Sequence, residues 1–120
     1  MSTMIRVRDF LSNPMAVSTD KAELVFIESR NAIEKGEKVE FNFEDIKLVI
    51  TAFLNIAIGK LYGLNIDYKY IDERLDYSNS TPAIKNMIEK VILNSKKFYS
   101  DRSQGEKNNN YINKSIDGDI

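Results

Sequence analysis

Cysteine, histidine and tryptophan are all absent from the 120 residues. Without cysteine there is no structural disulfide, no thiol nucleophile and no thiolate metal site. Without histidine the commonest general base near neutral pH and the commonest metal ligand are missing, which leaves carboxylates, lysine, tyrosine and hydroxyls for any chemistry. Charge of one sign is lacking too. With 17 basic against 18 acidic residues the net charge is −1, giving no global attraction to nucleic acid or an anionic membrane, although a local basic patch stays open. No apolar run approaches the length of a membrane span, and the opening MSTMIRVRDF is charged early with no apolar h-region. Together these point to a soluble, cytoplasmic protein without a leader. No P-loop, dinucleotide-binding glycine fingerprint or nucleophile elbow occurs, and Gly59-Lys60 lacks both the preceding glycine and the following hydroxyl of a phosphate loop.

What is present is a pattern of strands and helices in alternation. In VEFNFEDIKLVITAFLNIAIGKLYG, residues 39–63, Val39, Phe41 and Phe43 alternate with Glu40, Asn42 and Glu44, as in a strand with one buried face. From Thr51 the period changes. Phe53, Leu54, Ala57, Ile58 and Leu61 recur at helical spacing, and Gly63 is placed to take a left-handed C-terminal cap. Gly59, inside that helix, reads as a point of close packing, at a propensity cost of about 1 kcal/mol against alanine.

Before this segment, Ile5 and Val7 alternate with Arg6 and Arg8, predicting a strand over residues 4–10. A turn-like Ser12-Asn13-Pro14 follows. Asp20 and Glu23 then resemble a capping box, with Ser18 and Thr19 competing for the N-cap. Ala22, Val25, Phe26, Ser29, Ala32 and Ile33 form the inward stripe of the helix, which Gly36 ends. After the central segment, Ile66, Tyr68 and Tyr70 alternate with Asp67 and Lys69, predicting a third strand over residues 64–71. Thr81-Pro82 offers an N-cap and first-turn proline for a long last helix with Ile84, Met87, Ile88, Val91, Ile92 and Phe98 inward. From residue 101 periodicity is lost, and 101–120 reads as a flexible polar tail in which Tyr111, Ile112, Ile116 and Ile120 are isolated.

Joined in order, these elements give one α/β domain over residues 1–100: a small two-layer β-α-β-α-β-α arrangement with a largely parallel sheet. Polar residues alternating along every strand place the helices mainly on one face. Residues around Ile46 to Ile50, or near Leu75, are candidates for an added antiparallel edge strand. Free edges leave pairing with another copy open as well.

Carboxylates are plentiful at Glu44-Asp45 and at Asp72-Glu73 with Asp76, but none has cation-ligand spacing, and the expectation is solvated loops with no metal and no cofactor. Tyr62, Tyr68, Tyr70 and Tyr77, with Lys69 and Arg74 near, could stack on bases. They read better as core-edge residues, and nucleic acid is not expected as a partner. Thr51 stands out. A hydroxyl at a helix start sits among unpaired backbone N–H groups, where it caps the helix and where an added phosphate would be held. Asp45, Lys47 and Asn55 flank it and could rim a contact around Leu48 and Val49, the alternative being a solvated loop.

This layout resembles the STAS-like domains, small bacterial relatives of the STAS domains of anti-anti-sigma factors and anion transporters. In those domains a strand ends near an acidic residue, a short loop follows, and an Asp-Ser-Ser-Gly-type motif opens the next helix. Here Asn42 stands near the acidic position and Thr51 at the phosphorylatable hydroxyl. Ile50 and Phe53 replace the flanking acid and glycine, so the phospho-switch motif is not intact. The ITAFLN…IGKLYG run is similar to the STAS-like branch, and the resemblance covers roughly residues 4–99. It implies a non-enzymatic regulatory module that binds a partner protein through Asp45, Lys47, Leu48, Thr51 and Asn55, with an ATP-binding kinase of the GHKL type as one class of partner; Thr51 as a phosphoacceptor is the lesser alternative to its role as a cap. An alternative is a small inhibitor or accessory protein of a phage or mobile element that uses the same scaffold to block an enzyme.

Overall fold

The alternation at residues 38–42 forms the centre of a three-stranded parallel sheet. In the computed structural model, which describes residues 1–108 and side chains through residue 101, strand β3 (Lys38–Asn42) lies between β1 (Ser2–Arg6) and β5 (Leu75–Asn79). Ile5 stands opposite Phe41 in one register and Val39 opposite Leu75 in the other. Ile5, Val39 and Phe41 are buried, whereas Ser2, Met4, Lys38, Asp76 and Ser78 face water, so the helices cover one face. That is the two-layer arrangement expected from the polar alternation.

Helix α1 (Thr19–Glu34) buries the six residues of its predicted stripe against β1, β3 and the helix that follows β3, residues 51–57. Its N-cap is Ser18, whose hydroxyl accepts from the Lys21 amide at 3.3 Å. The Asp20–Glu23 capping box therefore does not form. Asp20 lies in the first turn, and Glu23 instead receives the Lys60 ammonium at 2.8 Å, which also stands 4.7 Å over the Phe26 ring. At the other end Gly36 has φ +83°, the Gly36 amide bonds to the Ile33 carbonyl and the Glu37 amide to the Ala32 carbonyl. These are the two bonds of a Schellman closure.

Helix α2 (Thr51–Ala57) is shorter than the period suggests. It passes into a 3-10 turn, Gly59–Gly63, with Phe53, Leu54, Ala57, Ile58 and Leu61 all buried. Gly63 is not left-handed; Gly36 is the glycine with positive φ among the described residues. What both turn glycines provide is room for α4 (Pro82–Asn108). A Cβ on Gly59 would meet the Ser95 Oγ at 2.5 Å, and one on Gly63 the Tyr99 ring at 2.6 Å. The close-packing role expected of Gly59 thus has a neighbour, namely α4.

Several expected elements change. The first strand ends at Arg6, and Val7–Phe10 is a 3-10 turn. Residues 64–71 are not a strand: Asp67 accepts from the Lys69 amide at 2.8 Å and caps the short helix α3 (Tyr68–Asp72). Burial there alternates as in a strand because Tyr68 meets the Tyr62 ring edge-on at 5.5 Å and the Tyr70 hydroxyl reaches the Ile33 carbonyl at 3.4 Å. The third strand is β5, parallel to β3 rather than an antiparallel edge. A second, two-stranded sheet pairs β2 (Met15–Ala16) in parallel with β4 (Leu48–Val49), so the region near Ile46 to Ile50 is also not an antiparallel edge of the main sheet. In α4, Ile84, Ile88 and Val91 are buried, but Phe98 is 55% exposed and Ser95 takes the inward place. The helix extends past residue 100, and Tyr111, Ile112, Ile116 and Ile120 lie outside the described residues.

Candidate functional site

The loop after β3 is shaped by its own polar groups. The Asn42 Oδ1 accepts from the Glu44 amide at 2.8 Å, and the Ile46 amide bonds to the Phe43 carbonyl at 3.2 Å. Asp45 holds φ at +64°, a left-handed conformation that an aspartate tolerates better than most residues. The chain then joins β2: the Lys47 amide donates to the Pro14 carbonyl at 2.8 Å and the Ile50 amide to the Ala16 carbonyl at 3.2 Å. This fixes Leu48 opposite Met15.

Val49 and Ala16 point inward and are buried, so by strand alternation Leu48 and Met15 point out. They are 46% and 42% exposed, and Val17 beyond them is 40% exposed. Asp45, Lys47, Thr51 and Asn55 are exposed as well. Among the described residues neither Asp45 nor Lys47 has an ion-pair partner. Thr51 is the first residue of α2, but the N-cap is Ile50 and no side chain caps the helix. The expected capping role of Thr51 is therefore overturned: a residue one position inside the helix start has its side chain turned away from the orphan amides that an N-cap reaches.

Thr51 and Asn55 lie one helical turn apart on the same face of α2. Asn55 differs from the others in its surroundings. It borders a shallow groove of about 330 Å³ with Asn94, Phe98 and Tyr99 of α4. The predicted residues thus divide between a ribbon end, with Asp45, Lys47 and Leu48, and a helix face that runs from Thr51 toward α4. Met15 and Val17 complete the ribbon end and were not among the residues singled out; the apolar run Met15-Ala16-Val17 was the signal available.

A second polar cluster was not foreseen. The Tyr62 hydroxyl donates to Asp72 Oδ1 at 2.6 Å and the Lys96 ammonium to Asp72 Oδ2 at 2.6 Å. Burial, and then the bond to the Asp72 carboxylate, push the Tyr62 hydroxyl far above the ordinary tyrosine range. Nothing in the spacing of these three residues marks them in the sequence. Among the described residues no group of three or more carboxylates is placed to hold a metal ion. Nor do the four tyrosines share an open face: Tyr62 is buried, and the Arg74 guanidinium lies 3.5 Å from the centre of the Tyr70 ring. Among the described residues no helix is long and apolar enough to cross a membrane.

A parallel three-stranded sheet with helices on one face, and an exposed strand-to-helix junction after the central strand, define a small α/β domain of the STAS-like kind. The family model described as a STAS-like domain of unknown function (DUF4325) matches residues 21–85, more than half of the chain, and the chain belongs to that family. The match takes in α1 from Lys21 onward, the central strand, the ribbon strand β4, α2, α3 and β5. No curated protein and no solved structure gave a match.

Proposed function

We propose that this chain is a non-enzymatic regulatory module that binds a partner protein through the end of the β2–β4 ribbon and the start of α2. The observation that carries this reading is the pair Met15 and Leu48, held side by side in register and left 42% and 46% exposed. Large apolar side chains fixed by strand pairing and surrounded by Asp45, Lys47 and Thr51 have the composition of a contact core with a polar rim. Because the pair is set by backbone hydrogen bonds, little main-chain freedom is lost when a partner covers it.

The resemblance to STAS domains supplies the class of partner, an ATP-binding kinase of the GHKL type, and the role of Thr51 as its phosphoacceptor. The Thr51 hydroxyl is exposed and uncommitted to a cap. A phosphate there would place negative charge beside the apolar pair and weaken a contact built on it. The non-enzymatic part rests on composition and on the Tyr62–Asp72 pair, whose carboxylate is already occupied by Lys96.

Affinity capture from the native host, comparing the wild-type chain with Leu48→Asp and Met15→Asp, tests the surface. Both substitutions are at exposed positions, and circular dichroism checks that each variant is folded. The expected result is a captured protein that both variants lose; retention of every captured protein by both overturns the proposal.

A further inference from the structure

A cleft of about 670 Å³ lies between β5 and α4. Leu75 and Tyr77 line it from the helix-covered face of the strand, and Asp76 and Ser78 line it from the wet face. A cavity over one face of a sheet meets side chains of a single parity, because successive residues point to opposite sides. This one therefore runs along the open edge of the strand. On its far wall stand Ile92 and Leu93 of α4, and Leu93 is 68% exposed. α4 packs on α2 and on the 3-10 turn, which leaves the edge uncovered.

The edge has unpaired backbone groups. The Arg74 carbonyl accepts from the Val39 amide at 2.7 Å and so faces β3. The register is regular through Asp76 and shifts between there and Asn79, so alternation turns the amide and carbonyl of Leu75 and the amide of Tyr77 outward. The Tyr77 carbonyl does face away from the sheet, since it accepts from the Ser80 hydroxyl at 2.8 Å. Their outward direction keeps the Leu75 N–H, the Leu75 C=O and the Tyr77 N–H out of the ladder with β3, and among the described residues no turn, cap or side-chain bond takes them up.

We infer that the β5 edge accepts an extended peptide segment of a partner protein, one carrying a basic residue between two apolar ones. Main-chain pairing supplies the attachment and alternate side chains the selectivity. The apolar side chains would lie on the covered face against Leu75, Tyr77 and Ile92, and the basic one on the wet face opposite Asp76. The Asp76 Oδ1 accepts from the Ser78 amide at 2.9 Å and from the Ser78 hydroxyl at 2.7 Å. Those two bonds, with Lys38 and Lys85 nearby, hold its carboxyl below the usual range, so the charge the peptide meets is fixed.

Asp76 also argues against a second copy of this chain as the occupant. Antiparallel self-pairing that uses all the open groups sets Leu75 opposite Tyr77 of the other copy, and so brings the two copies' Asp76 residues face to face. Directly opposed like charges destabilise a strand pair. A foreign strand with lysine or arginine at that place removes the conflict.

The test uses the full chain and three capped synthetic peptides that differ only in a central Val-Lys-Val, Val-Glu-Val or Val-Pro-Val. Calorimetric titration is combined with amide exchange at Leu75 and Tyr77. The Val-Lys-Val peptide should bind saturably and protect both amides; the Val-Glu-Val peptide should bind about fivefold more weakly, and the proline peptide not at all. Asp76→Lys should reverse the order of the first two. Leu93→Asp, at a position already in water, should weaken both, and Leu48→Asp neither, which separates this edge from the ribbon surface. Absence of saturable binding, equal binding of the lysine and glutamate peptides, or binding that leaves the Leu75 and Tyr77 amides unprotected would overturn the inference. So would protection of those amides that grows with protein concentration alone and accompanies a dimer in sedimentation.

Discussion

The hydroxyl of Tyr62 donates to the Asp72 carboxylate at 2.6 Å, and the other oxygen of that carboxylate is held by Lys96. Through this pair the 3-10 turn after α2, the short helix α3 and the long helix α4 meet at one polar point beside the core. The loop around Asn65, which takes a positive φ of 65°, separates the 3-10 turn from α3, and β5 separates α3 from α4. The cluster thus adds a polar tie to the apolar packing of the 3-10 turn on α4.

The Tyr62 bond makes stability depend on pH at the alkaline end. In the unfolded chain the phenol ionises near the ordinary value of about 10, whereas burial and the Asp72 carboxylate keep it protonated in the folded one. Above that pH the unfolded state binds fewer protons than the native state, so stability is complete below about pH 10 and falls as pH rises beyond it. Tyr62→Phe should cost about 1–2 kcal/mol at neutral pH through the lost bond to the carboxylate. It should also flatten the alkaline decline. Urea denaturation at intervals from neutral to strongly alkaline pH measures both, and an unchanged slope in the variant would contradict the role assigned to Tyr62.

Gly59→Ala should destabilise the fold by about 1–3 kcal/mol, the usual range for an overpacked contact, because its Cβ would stand 2.5 Å from the Ser95 Oγ. The Ser95 Cβ lies farther off, at 3.7 Å. Ser95→Ala therefore removes the offending atom alone, and the double variant should recover most of the loss. A double-mutant cycle by chemical denaturation reads the coupling; additive effects would mean that the helix contact is not what Gly59 serves.

The two hydroxyls at helix starts should behave differently. Ser18 accepts from the Lys21 amide as the N-cap of α1, and Ser18→Ala should cost about 1 kcal/mol. Thr51 caps nothing, and Thr51→Ala should stay within about 0.5 kcal/mol of wild type. Thermal melts of the two single variants decide the point. A loss at Thr51 as large as that at Ser18 would restore the capping role.

At Gly36 the cost is in the backbone. An added Cβ would lie 3.6 Å from the Tyr70 hydroxyl, an ordinary contact, but φ is +83°. Gly36→Ala should lose about 1–2 kcal/mol, and Gly36→Asn less, since asparagine enters the left-handed region more readily. Denaturation midpoints of the pair test the order; equal losses would point to packing instead.

The legible parts of the fold were those in which pattern and backbone share one cause. The stripe from Ala22 to Ile33 was read in full, and Val39 and Phe41 were placed correctly on the inner face, because burial of one side imposes a period of about 3.6 residues on a helix and 2 on a strand. Residues 64–71 misled for the same reason in reverse. Ile66, Tyr68 and Tyr70 alternate in burial, but their partial cover comes from separate neighbours, and a five-residue helix is too short to show its own period. The ribbon strands β2 and β4, two residues each, are likewise too short to carry a pattern.

The candidate surface was half legible. Asp45, Lys47, Leu48, Thr51 and Asn55 were read as exposed around a strand-to-helix junction, a local property of charge and turn residues, but Val49, expected beside Leu48 in the contact, is buried because it points inward from β4. That Met15 stands beside Leu48 could not be read, since the pairing joins residues far apart in the chain.

By itself the sequence determined the class of the fold, the one-sided sheet and the exposed junction before α2, since each follows from local hydrophobic period and the placing of polar residues. The tertiary structure alone decided which short segments pair, that β5 rather than residues 64–71 closes the sheet, and that Tyr62, Asp72 and Lys96 converge. Those are contacts between distant residues, whose energies depend on where the chain has already been brought and leave no period behind them.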